Sequence, residues 1–429
     1  MSMPLISIPE GLETKWFLLA PGALKSLPEL IHTAFPGKTP WLIADENTWK
    51  VAGEQARSLL IEAGFQPCPE HIFPGQPCLH PDYAYSKMLA REMPANCVPV
   101  SIGSGVINDL TKCASGIAGV PYCCVPTACS VDGYTSAGAA LSVEDFKKTV
   151  KCPPPFAICA DTDILKTAPA PMAASGYADL LAKVPAGTDW IIADELGQHP
   201  IRQDVWELIQ GHIRDWTADS ADMLKIFDGL ANTGYSMQIM RDSRPASGAE
   251  HLMGHIWEME GLTFNGSDVS HGFKVGIGLL ASTLLQQFVT EHSFEELEPF
   301  MKPGLTREER IAEIDELLVK GCYSDAPRIT AMEKFISGSE LTARRNLIRE
   351  HWSVLQERIR KQLIPFQQIR NMLLAAHCPV KPSEIGLSRE QFLHAVKTGQ
   401  LIRIRYTVTD LLYELGLLDK AMETLEQML

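Results

Sequence analysis

A chain of 429 residues, 45% of them hydrophobic and 21% charged, is long enough for two or three domains with full cores and needs no covalent stapling. A formal charge of −14 argues against a broad nucleic-acid or anionic-membrane surface, yet leaves room for a small basic pocket around an anionic substrate. Eleven cysteines without a CxxC pair fit reduced thiols in a cytoplasm better than a disulfide framework or a zinc ribbon.

The opening MSMPLISIPEGLETKW has neither a basic start nor a continuous apolar core, so no signal peptide is expected. From Pro40 to about Asp163, short apolar runs alternate with helical patterns. WLIAD (41–45) precedes an amphipathic stretch from Thr48 to Gly64; HIFPG precedes a helix near Asp82 to Met93; CVPVSIGSG precedes a helix from about Ile107; PYCCVPT follows. This βαβ series predicts a parallel sheet with helices on both faces and ligands beyond the C-terminal strand ends. After KCPPP and the strand-like AICAD the character changes. From Pro169 onward period-two alternation is lost and helices dominate, among them Ile311 to Lys320, Thr342 to Leu363 and Val408 to Leu429. The longest apolar run, Val275 to Leu285, falls short of the roughly 20 residues that span a bilayer. Two domains are expected, residues 1–165 binding a dinucleotide and an all-helical 166–429 binding metal and substrate, with a cleft between them.

Several residues can carry chemistry. Gly103-Ser104-Gly105-Val106-Ile107 follows a strand and opens a helix, where glycines admit a phosphate and the helix N-terminus supplies N–H donors. Asn108 stands where a third glycine would complete G-x-G-x-x-G, so a plain strand-to-helix turn is the competing reading. Asp45, ending the first strand of the series, can accept from a ribose or simply cap the next helix. VPTACSVDGYTSAGAAL (125–141) gathers small residues and hydroxyls around Asp132, and SGYADLLAK places Asp179 near the start of a helix at the head of the second domain, where an acid can also serve as a cap. In SGAEHLMGHIWEMEG, His251 and His255 share one helix face, but Leu252 occupies the place of the glutamate that H-E-x-x-H requires, which removes a metalloprotease. His271 precedes the apolar run of the next helix. One aspartate and two histidines on separate helices make a three-ligand set with open positions, suited to a divalent Lewis acid.

GSGVIND, VPTACSVDGYTSAGAAL, FKKT, GYADLLAK, SRPASGAEHLMGHIWEME and HGFKVGIG occur in the order seen in bacterial-type sn-glycerol-1-phosphate dehydrogenases, which the chain resembles over about residues 30 to 290. These belong with iron-dependent alcohol dehydrogenases, glycerol dehydrogenase and dehydroquinate synthase. The resemblance implies a dehydroquinate synthase-like fold: an α/β, Rossmann-like N-terminal domain followed by an all-α C-terminal domain. It implies metal ligation by Asp179, His251 and His271, with Asp179 also touching substrate. Dinucleotide contacts would come from Gly103, Ser104, Gly105, Val106 and Ile107, from Thr127, Ala128, Cys129 and Ser130, and from Ser136. Asp132 and His255 would contact substrate, His255 as proton donor and Asp132 orienting a hydroxyl. The chain departs from many relatives in Gly103-Ser104-Gly105, where three glycines are common, and in Cys129, where Pro or Ala is common.

The implied reaction is NADH- or NADPH-linked reduction of dihydroxyacetone phosphate to glycerol 1-phosphate, as in phospholipid biosynthesis, with one zinc, nickel or iron ion. Asp45 would disfavour a 2′-phosphate and so select NADH. Lys147, Lys148 and Arg244 are the nearest candidates for the substrate phosphate. The expected partner is a small polyol or ketone phosphate, with neither nucleic acid nor membrane, for a cytoplasmic homo-oligomer. Competing readings are a glycerol dehydrogenase-like or other polyol dehydrogenase, a dehydroquinate-synthase-like lyase or cyclase, and a non-catalytic nucleotide sensor.

Overall fold

The computed structural model describes residues 3–143, 146–318 and 323–429, the side chains of 146–148 excepted. Two compact units divide it: residues 1–180 with 214–242, and residues 181–213 with 243–429.

The first unit holds a six-stranded sheet in the order β1-β8-β5-β4-β2-β3, comprising β1 (Trp16–Ala20), β2 (Thr39–Asp45), β3 (His71–Phe73), β4 (Cys97–Gly103), β5 (Cys123–Pro126) and β8 (Ala157–Asp161). Every pairing in it is parallel. Strand alternation sends β2 side chains to opposite faces, Leu42 and Ala44 into one apolar cluster with Leu27, Ile31 and Val100, Trp41 and Ile43 into another with Phe73, Leu89 and Leu110. Covering both faces buries all seven residues of β4, which explains its near-continuous apolar run. The chain leaves β2 toward β3 on one side and leaves β4 toward β5 on the other. Crevices at such reversals, beyond the strand C-termini, are where open α/β sheets bind ligands. β1 completes an edge that the sequence did not announce. A separate antiparallel hairpin, β6 (Ala139–Val143) with β7 (Phe146–Val150), carries the backbone of Lys147 and Lys148, whose side chains lie outside the described residues.

Among the described residues the second unit is helical apart from a two-stranded hairpin, Thr263–Phe264 with Ser267–Asp268, which departs from the all-helical expectation for 166–429 and whose turn residues Asn265 and Gly266 both take positive φ (52° and 77°). Asn-Gly suits that turn. The hairpin links α5 (Ala249–Met259) to α6 (His271–Glu291). Helix α6 corrects the apolar-run reading: it has 21 residues, enough in length and composition to cross a membrane, and 89% of its most apolar window is buried inside the structure. Within it, Thr283 Oγ1 donates to the Leu279 carbonyl and Gln286 Nε2 to the Pro185 carbonyl. The expected helix 311–320 is observed as Arg307–Leu318, and residues 319–320 lie outside the described residues. The expected helix Val408 to Leu429 is broken into Val408–Glu414, Leu418–Met422 and a 3₁₀ segment, Glu423–Met428. Gly416, at φ 69°, ends the first piece, with Leu417 N–H bonded back to the Leu412 carbonyl.

Candidate metal centre and cofactor loops

At the C-terminal end of β4 the chain turns through Gly103 into α1 (Gly105–Ala118). A Cβ at Gly103 would overlap the Ile107 side chain, so the turn requires glycine there. Ser104 is the N-cap but makes no side-chain capping bond, which leaves the first N–H groups of α1 for an anion. Thr127 N–H donates to the Gly103 carbonyl (3.1 Å), joining the segment after β5 to this turn, and Thr127, Ala128, Cys129 and Ser130 are all buried. Helix α2 (Ala170–Leu181) lies against that segment: Ser175 Oγ donates to the Ser130 carbonyl, and a Cβ at Gly176 would overlap the Cys129 carbonyl. Burial pushes the Cys129 thiol far up, keeping it neutral beside the loop. Val106 is half-buried and Ile107 buried, so what this turn presents outward is chiefly backbone.

Sequence reasoning missed Lys112. Its side chain is fully buried, and Nζ donates to the carbonyls of Gly133 (2.7 Å) and Gly138 (3.0 Å), with Asp109 Oδ1 at 3.3 Å. It thus ties α1 to the loop bearing Asp132 and Ser136. Ser136 Oγ donates to the Gly133 carbonyl in the same loop. Asp45 performs the cap that competed with the ribose reading, its Oδ1 accepting from Asn47 and Thr48 N–H (2.8 Å each) in a capping box with Thr48.

Asp179 stands in the last turn of α2 and not near a helix start as expected, because the helix already begins at Ala170; His251 lies in the first half of α5, and His271 opens α6. One ligand atom from each lies within 4.8 Å of the others. Asp179 is fully buried, and its Oδ2 accepts from Asp132 N–H at 3.1 Å. Two carboxylates that sequence reasoning missed hold the rings. Glu250 Oε1 accepts from His251 Nδ1 (2.8 Å), and Glu258 Oε1 accepts from His271 Nδ1 (3.0 Å). A carboxylate can only accept, so both Nδ1 atoms carry the proton and Nε2 is the nitrogen that would ligate a metal. Those donors fit a divalent ion. Glu258 Oε2 also accepts from His255 Nδ1 (3.0 Å), and Lys274 Nζ lies 3.1 Å from Oε1. The available signal was spacing: Glu250 adjoins His251, while Glu258 and Lys274 follow His255 and His271 by three places.

His255 is held down to about 4, first by burial among protein atoms and then by His271 and His251, with Glu258 opposing. A third of its side chain stays exposed, so the neutral ring still meets solvent. Asp189, fully buried, is pushed up to about 7 by burial and then by Glu250, against the N–H donors of Ala249 and Val408 and the Gln286 amide. Arg244 is buried, with Nη2 donating to the Tyr406 carbonyl (2.8 Å). That nitrogen serves the fold.

A parallel sheet with an uncapped helix N-terminus beyond β4 and an Asp-His-His set with carboxylate-held rings offer places for a dinucleotide and a divalent ion, the equipment of a metal-dependent dehydrogenase. Residues 18–169 match the iron-containing alcohol dehydrogenase family. The chain is 31% identical over 296 residues to glycerol-1-phosphate dehydrogenase [NAD(P)+] of Halalkalibacterium halodurans, covering 67% of this chain and 73% of that protein. It is 40% identical over 186 residues to the protein of that name from Geobacillus thermodenitrificans, a match spanning 42% of this chain and 46% of the relative. Among solved structures, a probable glycerol dehydrogenase from Sinorhizobium meliloti shares the fold at 13% identity, with a TM-score of 0.56 over 95% of this chain and 97% of that one. The chain belongs to the glycerol-1-phosphate dehydrogenase family.

Proposed function

We propose that the chain reduces dihydroxyacetone phosphate to sn-glycerol 1-phosphate with NADH or NADPH. The observation that carries this reading is the Asp179, His251 and His271 set with both histidines held through Nδ1; the names of the relatives supply the substrate. Residues 1–165 would serve the dinucleotide and 166–429 the metal and substrate, in a cytoplasmic homo-oligomer that engages neither nucleic acid nor membrane.

When bound, the nicotinamide supplies hydride and a zinc, nickel or iron ion held by Asp179, His251 and His271 supplies Lewis acidity. The chain's own residues do the rest. Gly103 to Ile107, Thr127 to Ser130 and Ser136 bind the dinucleotide, and Asp45 meets its ribose. Asp132 orients a substrate hydroxyl, its backbone fixed by Asp179. His255, neutral with its proton on Nδ1, takes the alcohol proton at Nε2 during oxidation. By microscopic reversibility the same nitrogen delivers a proton to the product oxygen during reduction, and the exposed side of the ring is recharged from water.

NADH oxidation by Zn²⁺-, Ni²⁺- and Fe²⁺-loaded protein, run against dihydroxyacetone phosphate, free dihydroxyacetone and simple aldehydes, tests this. A kcat/KM for the phosphate at least about 100-fold above that for free dihydroxyacetone is expected, since recognition of the charged group contributes a few kcal/mol. Equal efficiency would place the chain with the glycerol dehydrogenases. Turnover of a cyclisable sugar phosphate without net NADH consumption would indicate a lyase or cyclase.

A further inference from the structure

Glu258 touches more of the centre than a support for one ligand needs to. Its carboxylate is almost wholly buried and accepts at Oε1 from His271 Nδ1 (3.0 Å) and Lys274 Nζ (3.1 Å), and at Oε2 from His255 Nδ1 (3.0 Å). The ring centroids of His255 and His271 lie 6.0 Å apart, so one side chain spans both. We propose that Glu258 is the positioning residue that sets the tautomers of the metal ligand His271 and the proton carrier His255 together, making competence for metal and competence for proton transfer depend on one carboxylate. The inference rests on the functional reading above.

An ionised carboxylate offers acceptors on both oxygens, so it can hold two imidazoles as Nδ1–H while leaving both Nε2 atoms bare. No neutral side chain of that shape does this. In Glu258→Gln one end of the amide accepts and the other donates. The ammonium of Lys274 can only donate, so the amide oxygen must turn toward Lys274 and His271. The amide NH₂ then faces His255, whose Nδ1 must accept, and the His255 proton moves to Nε2. His271 keeps the tautomer that ligates through Nε2, whereas His255 loses the bare nitrogen its role requires. The carboxylate and the amide therefore separate two functions that an alanine would remove together.

Zn²⁺ titration, steady-state kinetics and ¹⁵N-histidine NMR on the full chain test the assignment. In the metal-free wild type, both His255 and His271 are expected with Nδ1 protonated; either ring found protonated at Nε2 overturns the proposal without recourse to a variant. E258Q is expected to bind Zn²⁺ within about threefold of wild type and to show the flipped His255 tautomer. Its kcat should fall about 100-fold with little change in KM, the scale of a lost general acid or base. E258A is expected to weaken Zn²⁺ binding by about 10- to 100-fold, as loss of a partner to a metal-bound histidine does. Retention of kcat by E258Q, or of full Zn²⁺ affinity by E258A, overturns the coupling. His251→Ala separates this outcome from failure of the functional reading: if it binds Zn²⁺ as well as wild type does, the metal assignment itself falls, and the proposal falls with it.

Discussion

His251 and His255 lie one turn apart on α5 with ring centroids 6.4 Å apart, yet their surroundings differ. His251 is buried and held by Glu250, whereas His255 keeps a third of its side chain open and is held by Glu258. Spacing alone placed both on one face, and burial and carboxylate partner distinguish them. His251→Ala should therefore lose metal and activity together, because two remaining protein ligands hold a divalent ion poorly. His255→Ala should retain close to one metal per chain and lose about 100-fold or more in kcat. Metal content measured beside kinetics decides this, and metal loss in both variants would make His255 a ligand or a support for one. Asp45 raises a second question at this scale. Its Oδ1 is committed to the cap of the following turn, so a ribose would meet the carboxylate at Oδ2. A carboxylate there repels a 2′-phosphate, and Asp45→Ala should narrow an NADH preference by about tenfold in kcat/KM. An unchanged coenzyme ratio would show that Asp45 is not the selector.

Helix α6 approaches α5 closely because Gly278 has no side chain: a Cβ there would overlap the Glu250 carbonyl. That contact lies along the turn that carries Glu250 and His251, so the glycine sets how His251 and His271 meet, with rings 5.5 Å apart. Gly278→Ala should cost about 1 to 3 kcal/mol through overpacking. It should also weaken Zn²⁺ binding at least about tenfold, since sub-ångström displacement of a ligand is felt in metal affinity. Thermal unfolding and Zn²⁺ titration report the two effects separately, and unaltered affinity would show that the helix pair can slide without disturbing the centre. Elements of this kind were unevenly legible. β2, β4 and β5 announced themselves because strands buried on both faces are continuous apolar runs bounded by turn residues. β1 was not announced, since WFLLA reads equally as a helix fragment and gains its identity by pairing with β8, more than a hundred residues away. The Asn265-Gly266 turn carried a hairpin signal that the all-helical expectation for 166–429 passed over, whereas the break at Gly416 interrupts a pattern whose helical periodicity continues on both sides.

Across the whole chain, sequence order and compactness part company. Residues 214–242, including α4 (Met223–Met240), belong to the first compact unit although they follow residues assigned to the second. Local pattern marks where strands give way to helices, but which helix packs where depends on contacts far apart in sequence. The same limit governed the site. Asp179, His251 and His271 were singled out through motif resemblance and are brought together in the structure; Glu250 and Glu258 had only their spacing from the histidines as a signal, and Lys112 and Asp189 stand out through burial and partners that spacing does not reveal. Asp189 also has a consequence for overall stability. Its folded-state value near 7, against an ordinary 3.8, means that between those pH values the folded chain retains a proton that the unfolded chain has released. The unfolded state therefore binds fewer protons, and stability from this group, complete below about pH 4, is lost as pH rises toward 7. The slope should approach about 1.4 kcal/mol per pH unit within that window. In metal-free protein, denaturant unfolding at pH 5, 6 and 7 should show falling stability, and Asp189→Asn, which cannot ionise beside Glu250, should flatten the dependence even if it lowers stability at every pH. An unchanged slope in that variant would assign the pH dependence to other groups and leave Asp189 ionised in the folded chain, satisfied by the N–H donors of Ala249 and Val408 and the Gln286 amide.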